Sequence, residues 1–222
     1  MPDRNRPAVN LRERFLARPA VYKLFKRVVL PRGVINELVN DHFTVPDGGT
    51  VLDLGCGFGD YAQHFAGRTR YLGVDQNERY IRIAQSLNAT NGARFMVGDV
   101  SDAAIRTSGP YDLVMMSGVL HHLPTSDAVA LLRDVAQLLT PAGRFCALEA
   151  AFHPDQSLSA RLIVAADRGR FVRDEDGYRA LFPLAFEHLS VARYDNMLRI
   201  PYTHLVFTAS TPRLDGTGLV DS

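Results

Sequence analysis

Three kinds of residue along this chain could do chemistry together: closely spaced glycines, a series of aspartates, and a pair of histidines. The glycines fall at every second position in Gly55-Cys56-Gly57-Phe58-Gly59, directly after Val51-Leu52-Asp53-Leu54. Such a turn lets the backbone pass close to a ligand where any Cβ would collide. Asp53, Asp75 and Asp99 stand at or near the ends of apolar runs, 22 and then 24 residues apart. A carboxylate with two acceptor oxygens matches a vicinal diol such as that of a ribose. His121-His122 follow a further apolar run, and an imidazole can remove a proton near neutral pH. Two nucleotide patterns fail. The third glycine of a dinucleotide fingerprint would fall at Asp60, and no Gly-Lys-Ser/Thr follows as a P-loop requires.

Elements able to carry these residues can be read from periodicity. Apolar runs predict strands over 50–54, 71–74, 94–97, 111–117 and 143–149. Between them, helical spacing covers 60–66, 78–88, 101–107 and 126–139. Ser126, or Thr125 before it, suits the N-cap of the last helix, and Pro141-Ala142-Gly143 suits its stop. Strands alternating with helices imply a parallel sheet covered on both faces. Beyond Glu149, helices are expected over 155–167 and 174–182, then extended segments over 186–194 and 202–209. A short helix over 33–43 and a turn at Pro46-Asp47-Gly48-Gly49 precede the first strand.

At 222 residues the chain is large enough for one domain with a substantial core. The expected division is an N-terminal helical cap over 1–45, the main domain over 46–210 and a disordered tail over 211–222. With 25 basic and 24 acidic side chains, the whole is no electrostatic magnet for nucleic acid. Neither a signal peptide nor a membrane-spanning run is read, so a cytoplasmic protein is expected. Cys56 and Cys146 fit no metal-ligand or disulfide pattern, no carboxylate triad stands out, and no metal is expected. One stretch departs from neutrality: between Asp3 and Arg32 nine basic residues face only Asp3 and Glu13. Val21, Leu24, Phe25, Val28 and Val29 recur there at helical spacing, as in a helix packed on the domain or a peripheral membrane contact.

The segment 50–149 resembles the class I S-adenosylmethionine (SAM) methyltransferases, in particular small-molecule enzymes related to the quinone-pathway methyltransferases. The resemblance is carried by Val51-Leu-Asp-Leu-Gly-Cys-Gly-Phe-Gly59, Asp75, Gly98-Asp99-Val100, Ser117-Gly-Val-Leu-His-His-Leu-Pro124 and Leu139-Thr-Pro-Ala-Gly143. It implies a Rossmann-like, seven-stranded, mostly parallel α/β sheet ending in an antiparallel hairpin. S-adenosyl-L-methionine is the implied cofactor, cradled by Gly55, Cys56, Gly57 and Gly59. Asp53 would act indirectly at its amino-acid half and Asp75 would take the ribose hydroxyls. Gln76 would line the adenine slot, Asp99 would accept from the exocyclic amine, and Val100 would meet the ring. Ser117 would offer its carbonyl to the ammonium group, while His121 and His122 would face the reaction chamber, with His121 the first choice of base.

Acceptor contacts are expected from Tyr22, His153, Arg168, Phe171, Arg173, Tyr178, Arg199 and Tyr202. The cluster 168–173 could bind an acceptor carboxylate or phosphate, or end a helix in solvent. No Asn/Asp-Pro-Pro-Tyr/Phe follows the fourth strand, which argues against amino methyltransferases acting on bases or glutamine. The expected function is methyl transfer to a small molecule at O, N or C, in secondary-metabolite, saccharide, quinone or lipid biosynthesis. Alternatives are a protein of this fold that binds SAM without transferring methyl groups or runs another reaction there, and an RNA methyltransferase.

Overall fold

The computed structural model describes residues 28–31, 33–165, 170–195 and 197–213. Most of the basic N-terminal segment, with Tyr22, and also Arg168 lie outside the described residues, as do 214–222 of the expected tail.

Among the described residues eight strands form one sheet: β1 (Thr50–Leu54), β2 (Arg70–Asp75), β3 (Arg94–Val97), β4 (Tyr111–Ser117), β5 (Leu139–Phe152), β6 (Arg173–Asp174), β7 (Phe186–Tyr194) and β8 (His204–Pro212). Their order is β3-β2-β1-β4-β5-β8-β7, with the two-residue β6 pairing with the end of β5. The first five strands run parallel, and β8 turns antiparallel against both β5 and β7. This is the seven-stranded plan implied above, with β6 added. The helices are α1 (Val34–Asp41), α2 (Ala62–Phe65), α3 (Glu78–Leu87), α4 (Ala103–Ser108), α5 (Thr125–Leu138), α6 (Leu158–Ala165) and α7 (Glu175–Arg179).

Sheet alternation sorts side chains into two cores. Leu52, Val114, Met116, Phe145 and Phe207 pack with Leu132 and Val135 of α5 and with Tyr178 and Phe182. On the other face, Val51, Tyr71, Leu113 and Met115 pack with Leu38, Phe43, Ala62 and Ala84. Because both faces are covered, β1 is buried along its whole length, as its unbroken apolar pattern requires.

Several boundaries differ from the sequence reading for identifiable reasons. β5 begins at Leu139, which pairs with Tyr111, and Thr140–Gly143 are taken up in a register shift before Arg144 pairs with Leu113. At its other end β5 runs on to Phe152, which pairs with Asp174. The α5 N-cap is Pro124, without a side-chain cap bond. The two expected caps are engaged elsewhere: Thr125 Oγ1 accepts from Arg173, and the Ser126 hydroxyl donates to Asp127. α7 starts after Asp174, which caps it by accepting from Gly177 N–H at 2.9 Å, and beyond Arg179 the chain continues in tighter turns, with Leu181 N–H on the Tyr178 carbonyl and Phe182 N–H on that of Arg179. β8 continues to Pro212, into the stretch expected to be disordered.

Candidate active site

β1 lies between β2 and β4, so the loops after these strands diverge to opposite sides of its carboxyl end. An open parallel sheet binds ligands at such a point. A cavity of about 710 Å³ opens here, walled by the loops after β1, β2, β3 and β4 and by one side of α5.

The glycine turn forms its floor. The N–H groups of Gly55 and Cys56 donate to the Val74 carbonyl at 2.8 and 3.0 Å, tying the turn to β2. Gly57 and Gly59 have φ of +55° and +70°, in the left-handed region. At Gly57 a Cβ would meet nothing within 4 Å, while at Gly59 it would come within 2.7 Å of the Phe95 ring. Gly57 therefore lines the cavity and Gly59 is closed off against the core.

Asp75 ends β2 and joins the turn: Oδ2 accepts the Gly57 N–H at 3.0 Å, and Oδ1 accepts that of Asn77 at 2.8 Å. Asn77 then caps α3, its side chain accepting from Arg79 and Tyr80 N–H. One short segment thus fixes the carboxylate, the turn and the helix start. Asp99, after β3, accepts from the Ser101 N–H and hydroxyl, and these bonds hold its carboxyl below the usual range.

The cavity wall contains Gly55, Gly57, Asp75, Gln76, Asp99, Val100 and His122 of the expected site residues. Asp53, Cys56, Gly59, Ser117 and His121 stand behind it. Asp53 is buried and accepts a hydrogen bond from the Tyr71 hydroxyl. Burial raises its carboxyl to about 7, with the Tyr71 hydrogen bond acting in the opposite direction. Burial likewise pushes the Cys56 thiol up. Ser117 Oγ accepts from the Tyr61 hydroxyl at 3.3 Å.

The loop after β4 is organised by Glu149 of β5. Its fully buried carboxylate accepts from the N–H groups of Val119, Leu120 and His121 at 3.0, 2.8 and 3.3 Å. It also meets His121 Nδ1 at 2.6 Å. An acid inside Cys146-Ala-Leu-Glu-Ala-Ala-Phe152 was the available signal, because a charge in an apolar strand needs partners. His121 is thereby drawn inward and His122 is left on the cavity wall, reversing the order of preference between them.

Two expected acceptor contacts are corrected. Tyr178 is fully buried in the core, and its hydroxyl donates to the Ala150 carbonyl at 2.9 Å. The Arg173 guanidinium donates to the carbonyls of Leu120, Leu123 and Phe171, which ties down the histidine loop. Phe171 N–H donates to the His121 carbonyl at 3.0 Å. Tyr202 is buried and lies 4.6 Å from the His204 ring, between ring centres. Arg199 holds the Val28 and Val29 carbonyls, and His153 contacts Arg193. None of these four residues lines the cavity.

The site fits SAM on its own chemistry. Asp75, Asp99 and Asp127 give an acidic wall suited to a ligand bearing sulfonium and ammonium charges, while Asp134 beside them pairs with Arg106 at 3.0 Å, and Gly57 leaves its cradle open. A family model described as a methyltransferase domain matches residues 51–143. Over this segment the chain is similar to the class I SAM-dependent methyltransferases. It is 30% identical over 102 residues to a ubiquinone biosynthesis O-methyltransferase of Xanthomonas axonopodis, covering 45% of this chain and 42% of that one. The alignments span less than half the length of the first such relatives.

Solved structures extend the likeness in fold to most of this chain. A Pyrococcus horikoshii protein matches with a TM-score of 0.62 at 19% identity, covering 89% of this chain and 93% of that one. A Haemonchus contortus phosphoethanolamine N-methyltransferase, complexed with phosphomonomethylethanolamine and S-adenosylhomocysteine, matches with a TM-score of 0.70 at 14% identity. That match covers 93% of this chain and 61% of the other. Among the described residues, no group of three His, Cys, Asp or Glu is placed to hold a metal ion. No described helix is long and apolar enough to cross a membrane.

Proposed function

We propose that this chain transfers a methyl group from SAM to a small-molecule acceptor. The observation that carries this reading is the convergence of Gly57, Asp75, Asp99 and His122 on one cavity. Asp75 would take the ribose diol, because its two oxygens are fixed by the Gly57 and Asn77 N–H groups and retain acceptor capacity. Asp99 and Val100 would meet the adenine, and Gln76 would line its slot. Asp53 and Tyr71 would hold the strand end behind the amino-acid half. Bound SAM supplies an electrophilic methyl on its sulfonium.

The protein's work is to exclude water and hold the acceptor nucleophile in line, which can contribute on the order of 7–11 kcal/mol. His122, on the wall, would accept the acceptor's proton, an effect worth about 10²–10⁴-fold. The ubiquinone-pathway relative supports a hydroxyl as the nucleophile and a small molecule as its bearer.

Radiolabelled SAM incubated with the protein and a fractionated metabolite extract tests the reading. Labelled product together with S-adenosylhomocysteine is expected. Tight SAM binding with no turnover across all fractions would replace it with a cofactor-binding role.

A further inference from the structure

Among the described residues strand β7 ends the sheet, with β8 as its neighbour on one side. It is nine residues long and contains no proline, lysine or glycine, whereas β3 at the opposite edge has four residues. A long edge strand offers a row of backbone donors and acceptors to another strand unless it is shortened, charged, bulged or covered. The register shows which of these groups point outward. Phe186 lies opposite Pro212, which has no N–H to give, and the Arg213 N–H donates to the Ala185 carbonyl at 2.9 Å. An antiparallel ladder bonds every second residue, so the bonds to β8 fall on the odd-numbered residues of β7. His188, Ser190, Ala192 and Tyr194 then direct their N–H and C=O groups away from β8.

The side chains are arranged symmetrically about Ser190. Leu189 and Val191 flank it, and Glu187 and Arg193 stand three residues to either side. Alternation places these four on one face of the strand. The two charged side chains, 46% and 38% exposed, have neighbours of opposite sign within this chain. Glu187 meets Arg213 at 3.7 Å, and Arg193 meets Asp195 at 3.1 Å and the His153 ring, which Asp155 faces at 3.6 Å. Glu37 and Asp41 of α1 stand beside Tyr194, toward the other face of the sheet.

We propose that β7 pairs antiparallel with the β7 of a second copy of this chain, about a two-fold axis through Ser190. The outward groups of Ser190 bond those of the partner's Ser190, and those of His188 bond those of the partner's Ala192. At the intervening positions, where side chains stand closest, Glu187 faces the partner's Arg193 and Leu189 faces the partner's Val191. The axis makes every such contact occur twice. Signs balance at each end of the ladder, where Glu187 and Arg213 meet the partner's Arg193 and the partner's Asp195. Centring the axis on His188 or Ala192 would instead set a charge opposite Leu189 or Val191, so the charges select this register. β7 runs parallel to β5, because β8 is antiparallel to both. The carboxyl edges of the two sheets therefore face opposite directions, and each copy keeps its own cavity open.

Sedimentation equilibrium of the full chain at micromolar concentration tests the pairing, and a dimer is expected. Ser190→Pro removes an outward N–H and spares the ladder to β8, so this variant should keep the wild-type circular dichroism and sediment as a monomer. Glu187→Arg and Arg193→Glu should each weaken the dimer about tenfold, because two attractive cross-strand pairs become repulsive. An equimolar mixture of these two variants has opposite charges at both pairs of a mixed dimer, and should dimerise where neither variant does alone. If Ser190→Pro does not fold, the mixture decides. The proposal is overturned if wild type is a monomer, if folded Ser190→Pro remains a dimer, or if mixing the charge variants restores no dimer.

Discussion

His121 Nδ1 lies 2.6 Å from Glu149 Oε2, with the two side chains 7% and 0% exposed. The same carboxylate accepts three consecutive backbone N–H groups at the start of the one-turn 3-10 helix Leu120–His122. A buried carboxylate is tolerated when several donors surround it. Here those donors are the loop that puts His122 on the cavity wall.

Glu149→Ala should therefore destabilise the protein by about 2–5 kcal/mol, because buried donors lose their acceptor. Glu149→Gln keeps one carbonyl acceptor and should cost less. Urea unfolding of the two variants measures the difference.

The two histidines should separate by assay. His122→Ala should leave SAM affinity close to wild type and lower turnover about 10²-fold or more, once an acceptor is in hand. His121→Ala should instead lower the unfolding midpoint, since it opens a hole beside Glu149. Equal losses of turnover with unchanged stability in both would contradict the division of labour.

The sequence made the ligand edge legible because its residues obey local rules. A strand that must be buried on both faces reads as Val51-Leu-Asp-Leu, and a turn that must admit a ligand reads as alternating glycines. Asp75 and Asp99 sit at the strand ends where the periodicity put them. Glu149 and Arg173 were harder, because their roles are set by partners about 30 and 50 residues away that only the folded chain brings near. Tyr178 stands in the stretch expected to supply acceptor contacts, yet its hydroxyl serves the Ala150 carbonyl inside the core. His121 and His122 are adjacent and alike in sequence; the Glu149 carboxylate, on another strand, distinguishes them.

Asp53 makes stability depend on pH. Burial lifts its carboxyl from 3.8 to about 7, so the native state holds a proton that the unfolded chain has released between those values. The stability contributed by the protonated form is complete below about pH 4 and is lost as pH rises through about 7. Between pH 5 and pH 8, wild type should lose on the order of 2 kcal/mol more than Asp53→Asn. Denaturant unfolding of both proteins across that range reads the difference, and parallel curves would show that Asp53 is ionised throughout.

Gly57 and Gly59 share left-handed φ values but should fail in different ways when given a Cβ. At Gly59 the new carbon would press on the Phe95 ring at 2.7 Å and meet Asn88 Nδ2 at 3.0 Å. Gly59→Ala should cost about 2–4 kcal/mol of stability through overpacking added to backbone strain. At Gly57 the carbon enters open space on the cavity wall, so only strain of about 1–2 kcal/mol is expected. The methyl group would then occupy the cradle next to the N–H that Asp75 holds. Gly57→Ala should therefore lose SAM affinity about tenfold or more while remaining folded at room temperature. Calorimetry and thermal unfolding on both variants separate the two effects, and a Gly57→Ala protein with wild-type SAM affinity would place the cofactor elsewhere.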